Sequence, residues 1–206
     1  MFLRRALNQN LTKGRYVVNT ASLSQKYRPQ CLPAALAVTN TQRGFKTSLR
    51  LQDRLSDAEE QMKLGTDQLN QGSIDMAMNH YHRSVQLAAT PAGYFNIGVC
   101  YFQMGKHKDA IKSFEKSLEL DPNAADAHTN IASAYLMMSD VQPAITHLEQ
   151  ASNFNPLDGE VHFNLGCVYE ATGKLDDAKL RFERARDLGI PQATAALDKL
   201  AKKSAK

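Results

Sequence analysis

Residues 94–101 read YFNIGVCY, residues 128–135 read HTNIASAY and residues 162–169 read HFNLGCVY. The step is 34 residues each time; it carries Asn96 to Asn130 and Asn164, and Tyr101 to Tyr135 and Tyr169. The same step links Ala110, Ala144 and Ala178, and Phe114, Leu148 and Phe182. When amide, aromatic and small residues recur in one register, each unit of a stacked array is burying its apolar face only against its neighbours. An ordinary helical bundle would have to reproduce several residue types in register three times.

Inside one period the spacing is helical. Tyr94, Ile97, Gly98 and Tyr101 fall at offsets of three and four, which is one helix face. Gly105 interrupts the pattern, and a second face resumes with Ala110, Ile111, Phe114, Ser117 and Leu118. Asp121-Pro122 closes it, because proline disfavours helix in the residue before it. Each period is therefore expected to be a helical hairpin.

These residues resemble the tetratricopeptide repeat. Its pattern of a large residue, leucine-glycine, tyrosine, then alanine, phenylalanine and proline reads here as Tyr94, Ile97, Gly98, Tyr101, Ala110, Phe114 and Pro122. The next copy is His128, Ile131, Ala132, Tyr135, Ala144, Leu148 and Pro156. A third is His162, Leu165, Gly166, Tyr169, Ala178 and Phe182, with its proline one place late at Pro191. An earlier copy uses Gln61, Leu64, Gly65, Gln68, Ala77 and Tyr81, and departs at Gln68 and Ala89. The resemblance implies an all-α, right-handed superhelical solenoid of four repeats over 58–192 (58–90, 91–124, 125–158 and 159–192). A lead-in segment at 45–57 precedes it, and a basic capping helix at 193–206 follows, with Ala196, Leu197, Leu200 and Ala201 inward and Lys199, Lys202 and Lys203 outward.

The start of the chain has a different composition. Through Gln52 there are nine Lys or Arg and no Asp or Glu. Leu3, Leu7 and Leu11 form an apolar stripe beside Arg4, Arg5 and Arg15, the pattern of a basic amphipathic transit peptide. Residues 1–44 are thus expected to be a mitochondrial targeting presequence, disordered or cleaved, that directs the chain to the matrix. Arg43-Gly44-Phe45 resembles a processing site, with cleavage expected after Gly44 or Phe45. The competing reading is a basic tail for nucleic acid or anionic lipid, against which stands the absence of a clustered Lys/Arg run. No apolar stretch is long enough for a membrane span.

Beyond Gln52 the chain carries 16 basic against 21 acidic residues, a balance of −5. The repeat region is acidic, so no nucleic-acid partner is expected. No cofactor, metal or catalytic constellation is expected either. The three cysteines lack a Cys-x-x-Cys pattern, and Cys100 and Cys167 read as buried small hydrophobes. His80 and His82 point to different sides of their helix, and His128 and His162 occupy the large packing position of the repeat.

The tetratricopeptide resemblance implies that the first helix of each hairpin lines a concave wall. The peptide-binding groove is then expected to display Asn96, Asn130 and Asn164 as an amide row, with Phe95, Val99, Phe102, Leu136 and Phe163 accepting apolar side chains. A side-chain amide both donates and accepts, matching a peptide unit. The wall offers one cation, Lys63, against Glu59, Asp126, Glu160 and Glu170, so a lysine-arginine clamp for acidic tails is not expected. Two functions fit: an adaptor or assembly factor holding a client protein segment in the groove, or an accessory subunit of a respiratory or mitoribosomal assembly. A co-chaperone outside mitochondria is a third. Oligomeric state is left open.

Overall fold

The computed structural model describes residues 42–204, with side chains described for 52–203. Most of the expected presequence, residues 1–41, lies outside the described residues, whereas Gly44 and Phe45 fall in the first turn of the first helix. Nine helices and no strand occur among the described residues: α1 Gln42–Asn70, α2 Ile74–Leu87, α3 Pro91–Gln103, α4 His107–Leu120, α5 Ala125–Met137, α6 Val141–Phe154, α7 Gly159–Ala171, α8 Leu175–Asp187 and α9 Pro191–Ser204.

The pairs α1/α2, α3/α4, α5/α6 and α7/α8 form four hairpins, and the second helix of each packs on the first helix of the next. The turns inside the hairpins share one geometry. Gly72, Gly105 and Gly173 adopt φ of 80°, 74° and 81°, a left-handed conformation that costs glycine little. Ser139 holds the same place in the third hairpin at φ 64°, without glycine's freedom. Two entries are capped by side chains. Thr90 Oγ1 accepts from Gly93 N at 3.1 Å ahead of Pro91, and Asp158 Oδ1 accepts from Glu160 N at 3.0 Å.

A size rule packs each hairpin. Gly65, Gly98 and Gly166 lie against the rings of Tyr81, Phe114 and Phe182; a methyl added to these glycines would sit 2.7, 2.6 and 2.5 Å from ring carbons. In the third hairpin the glycine is Ala132 and the ring is replaced by Leu148, both buried. Small backbone with large ring, or methyl with smaller branched chain, fills the same gap. Ala77, Ala110, Ala144 and Ala178 are all fully buried where the two helices of a hairpin meet. Hydroxyls add a second repeated device: Ser84 Oγ donates to Ala58 O and Ser117 Oγ to Pro91 O, each at 2.8 Å. Ala151 and Ala185 take that place in the later hairpins and are buried as simple packing residues.

One expected boundary and the expected faces of the cap differ. The lead-in at 45–57 is not separate from the first repeat, because α1 is continuous from Gln42 to Asn70, 29 residues or about 43 Å. No glycine or proline lies between Gly44 and Gly65 to break it at the expected boundary. In α9 the buried residues are Ala193 and Leu200, whereas Ala201 is exposed rather than inward. Nor do all its lysines simply face solvent: Lys199 Nζ lies 3.0 Å from Glu170 Oε1 on α7, and Lys203 pairs with the same oxygen.

Candidate functional site

The first helices carry one stripe each at offsets of three, four and three. In α1 it is Glu59, Met62, Thr66 and Leu69; in α3, Ala92, Phe95, Val99 and Phe102. In α5 it is Asp126, Thr129, Ser133 and Leu136; in α7, Glu160, Phe163, Cys167 and Glu170. Residues at this spacing share one helix face. α3 touches α5 directly across the intervening hairpin helix, and Met62 of α1 reaches Asn96 of α3, so the stripes of these first helices run side by side on the inner wall.

The three expected asparagines are not equivalent. Asn96 is only 3% exposed, and its Nδ2 donates to Met62 Sδ at 3.3 Å. It is therefore covered by the first repeat and does not present its amide on the wall as the sequence reading expects. Asn130 is half-buried and donates from Nδ2 to Asp126 O at 2.8 Å, one turn back, which leaves its carbonyl oxygen for another donor. Asn164 is half-buried, with no side-chain hydrogen bond to the described residues.

The apolar members divide similarly. Val99 and Leu136, at 8% and 4% exposure, belong to the core more than to a binding surface, contrary to their expected role. Phe95, Phe102 and Phe163 are half-buried. The Phe95 ring stands 5.4 Å from Phe114 and tilted to it; Phe163 meets Phe182 in the same way at 5.5 Å. Phe95 and Phe163 are thus braced by the ring that their hairpin's glycine admits, and cost little further ordering when a ligand packs on them. Between them Thr129 Oγ1 donates to Ala125 O and Ser133 Oγ to Thr129 O, both at 3.0 Å. With their hydroxyl protons satisfied, these short side chains form a low saddle between two aromatic ridges.

At the far end the cap closes the wall. Burial pushes the Glu170 carboxyl upward, but Lys203 and Lys199 outweigh it and hold it below the usual carboxylate range. Glu160 has no such partner: burial, then repulsion from Asp158, raises its carboxyl. Burial pushes the Cys100 and Cys167 thiols up to about 12, so neither is a nucleophile at neutral pH. Among the described residues no three of His, Cys, Asp and Glu gather where a metal would sit. The sequence reading missed Met62 as the cover of Asn96, and Lys199 and Lys203 as the partners of Glu170. The second had a signal: two lysines four apart on a short helix share a face.

Away from the wall, His128 is buried as the packing reading expects. Its Nε2 donates to Pro122 O at 3.4 Å, so its Nδ1 accepts from His147 Nδ1 at 3.0 Å. His162 repeats the backbone contact, to Pro156 O at 3.2 Å, but its Nδ1 is buried without a partner among the described residues.

Stacked two-helix units with these small-large pairs define a helical-repeat solenoid. Tetratricopeptide repeat models match residues 91–124, 113–145 and 159–185, and the chain is an all-α tetratricopeptide repeat solenoid. Among solved structures, MamA is 24% identical over 72% of this chain and 83% of its own, with a TM-score of 0.66. PilF of Pseudomonas aeruginosa is 21% identical over 74% of this chain and 71% of its own, at 0.66. The first tetratricopeptide domain of Spaghetti (RPAP3), bound to the HSP90 peptide SRMEEVD, is 28% identical over 57% of this chain and 94% of its own, at 0.54. No curated protein matches the chain. The repeat fold suggests a protein-protein interaction adaptor. No helix among the described residues is long and apolar enough to cross a membrane.

Proposed function

We propose that this chain is a non-enzymatic mitochondrial adaptor or assembly factor that holds an extended client segment along its inner wall. The observation that carries the reading is the pair of braced, half-buried rings Phe95 and Phe163 flanking the Thr129–Ser133 saddle. That relief accepts two apolar side chains of a client, with its backbone passing Asn130 between them. A peptide is bound by the Spaghetti domain, a solved neighbour of the same fold. The acid-free, arginine-bearing start of the chain supports matrix targeting.

The test is capture from mitochondrial matrix extract by the wild-type chain and by the double variant Phe95→Ala/Phe163→Ala. Loss of specific partners with helicity retained is the expected result, and undiminished capture by a folded variant would refute the groove. For the address, isolated mitochondria should convert the full chain to a shorter, protease-protected form and leave residues 45–206 outside.

One observation favours the accessory-subunit reading as an alternative. Leu157 and Leu180, at 70% and 62% exposure, lie off the inner wall in a turn and on α8. A permanent neighbour would cover them, and Leu157→Glu/Leu180→Glu would then release the chain from a large complex on a sizing column.

A further inference from the structure

We propose that in the full chain the apolar run Cys31–Val38 docks on a rim of the solenoid formed by Leu120, Phe154 and Leu157, and that removal of the presequence bares this rim for a partner. The inner wall plays no part in it.

The rim is the edge where each second helix ends and the next first helix begins. Of the six large apolar side chains exposed among the described residues, four lie along it: Leu55, Leu120, Phe154 and Leu157. Leu120 and Phe154 close α4 and α6 at the same place in the repeat, and Leu157 stands in the turn after Phe154. Side-chain contacts tie the edge together. The Phe154 ring stacks on His128 at 5.5 Å, and His128 Nε2 donates to Pro122 O, two residues past Leu120. Even with that ring contact Phe154 is 45% exposed, beside Leu120 at 47% and Leu157 at 70%. Apolar side chains gathered in this way mark a surface that something covers.

The chain's own N-terminal part is placed to cover it. α1 passes this rim where Arg54 Nη2 donates to the carbonyl of Leu87, the last residue of α2. From Arg54 it continues outward to Gln42, about 18 Å at about 1.5 Å per residue. Residues 1–41 therefore join the fold above this rim. Within them Cys31–Val38, CLPAALAV, is the longest apolar run in the chain. Counted from Gln42, an extended chain reaches about 20–22 Å to Leu36 and about 33–36 Å to Leu32. Returning along the overhang of α1 and moving one or two helix spacings along the rim needs about 21–27 Å. Leu36 can thus seat on Leu120 and Leu32 on Phe154. A tether this short gives an effective concentration on the order of millimolar, so a weak apolar contact keeps the run in place. Cleavage after Gly44 or Phe45 would remove run and tether together.

Cys31 supplies the probe, because Cys100 and Cys167 are buried and their thiols are pushed up to about 12. A nitroxide attached to Cys31 of the isotope-labelled full chain should remove more than half of the amide NMR intensity of Leu120 and Leu157, relative to the reduced label. Gly105 and Gly173, in the hairpin turns at the opposite ends of the helices, should keep theirs. Leu32→Asp/Leu36→Asp should restore the rim signals without touching the solenoid. So should Leu120→Asp/Leu157→Asp, read at Phe154 and Asn123; both leucines are exposed, so the fold survives the change. Full intensity at the rim, equal loss at both ends of the helices, or rim loss that persists in Leu32→Asp/Leu36→Asp overturns the docking. It is overturned too if the loss arises only between molecules, in a mixture of nitroxide-bearing and isotope-labelled chains, because the occupant is then a second copy.

Discussion

Substituting Gly98 by alanine separates packing from helix propensity, because the two have opposite signs there. Gly98 is interior to α3 and shows no left-handed backbone, so alanine alone should stabilise the helix by about 1 kcal/mol. The added methyl, however, would stand 2.6 Å from Cδ1 and Cε1 of Phe114. That is about 1 Å short of ordinary carbon contact. The ring is fully buried and also packs against Phe95, so it has little room to retreat. Overpacking of this kind costs about 1–3 kcal/mol. Gly98→Ala should therefore leave the protein up to about 2 kcal/mol less stable in urea. In a Phe114→Leu background, which recreates the Ala132/Leu148 combination, the same substitution should stabilise by up to about 1 kcal/mol. The cycle should show a coupling of about 1–3 kcal/mol. Equal effects of Gly98→Ala in both backgrounds would refute the size rule.

Three further outcomes follow from the same structure. Ser139→Gly should raise stability by about 1 kcal/mol, since serine at φ 64° bears a left-handed penalty that the glycines in the other turns avoid; a melting point a few degrees higher is the readout. Ser117→Ala should cost about 1 kcal/mol by removing the hydroxyl that donates to Pro91 O, whereas Ser113→Ala, whose hydroxyl bonds only within its own helix, should cost less in the same urea titration. Burial draws His128, His147 and His162 below the usual imidazole value of 6.5. The unfolded chain therefore binds protons that the folded one refuses. Stability is complete above about pH 7 and falls as pH drops through 6.5 toward the folded-state values. His147→Gln should flatten that decline between pH 7 and 5, measured by urea unfolding at each pH.

Much of the architecture was legible because its devices are local. Gly105 and Gly173 mark the turns in sequence and adopt the left-handed backbone that makes them turns. The recurring alanines and large residues mark where helices approach. The unbroken run of α1 into the first repeat was legible too, since residues 45–57 contain no helix breaker, but the late onset of acidic residues suggests a boundary that the backbone does not observe. The site was harder to read. A 34-residue step assigns Asn96, Asn130 and Asn164 to one row, yet it does not say what the preceding repeat lays over each. The thioether of Met62 covers the first of them, and nothing comparable covers the second. Burial of Val99 and Leu136 has the same origin, because a position on the wall becomes core wherever its neighbours are large enough to close over it. The His128–His147 contact joins helices through side chains nineteen positions apart, a separation that helical periodicity does not encode.

The central claim is that the inner wall, and not the exposed leucines elsewhere, is where a client lies. Amide NMR shifts of the full chain during titration with a leucine-alanine peptide test it most directly. Shifts concentrated at Asn130, Ser133, Phe163 and Cys167, and absent near Leu157 and Leu180, are the predicted result. Shifts centred on Leu157 and Leu180 with the inner wall silent would contradict it.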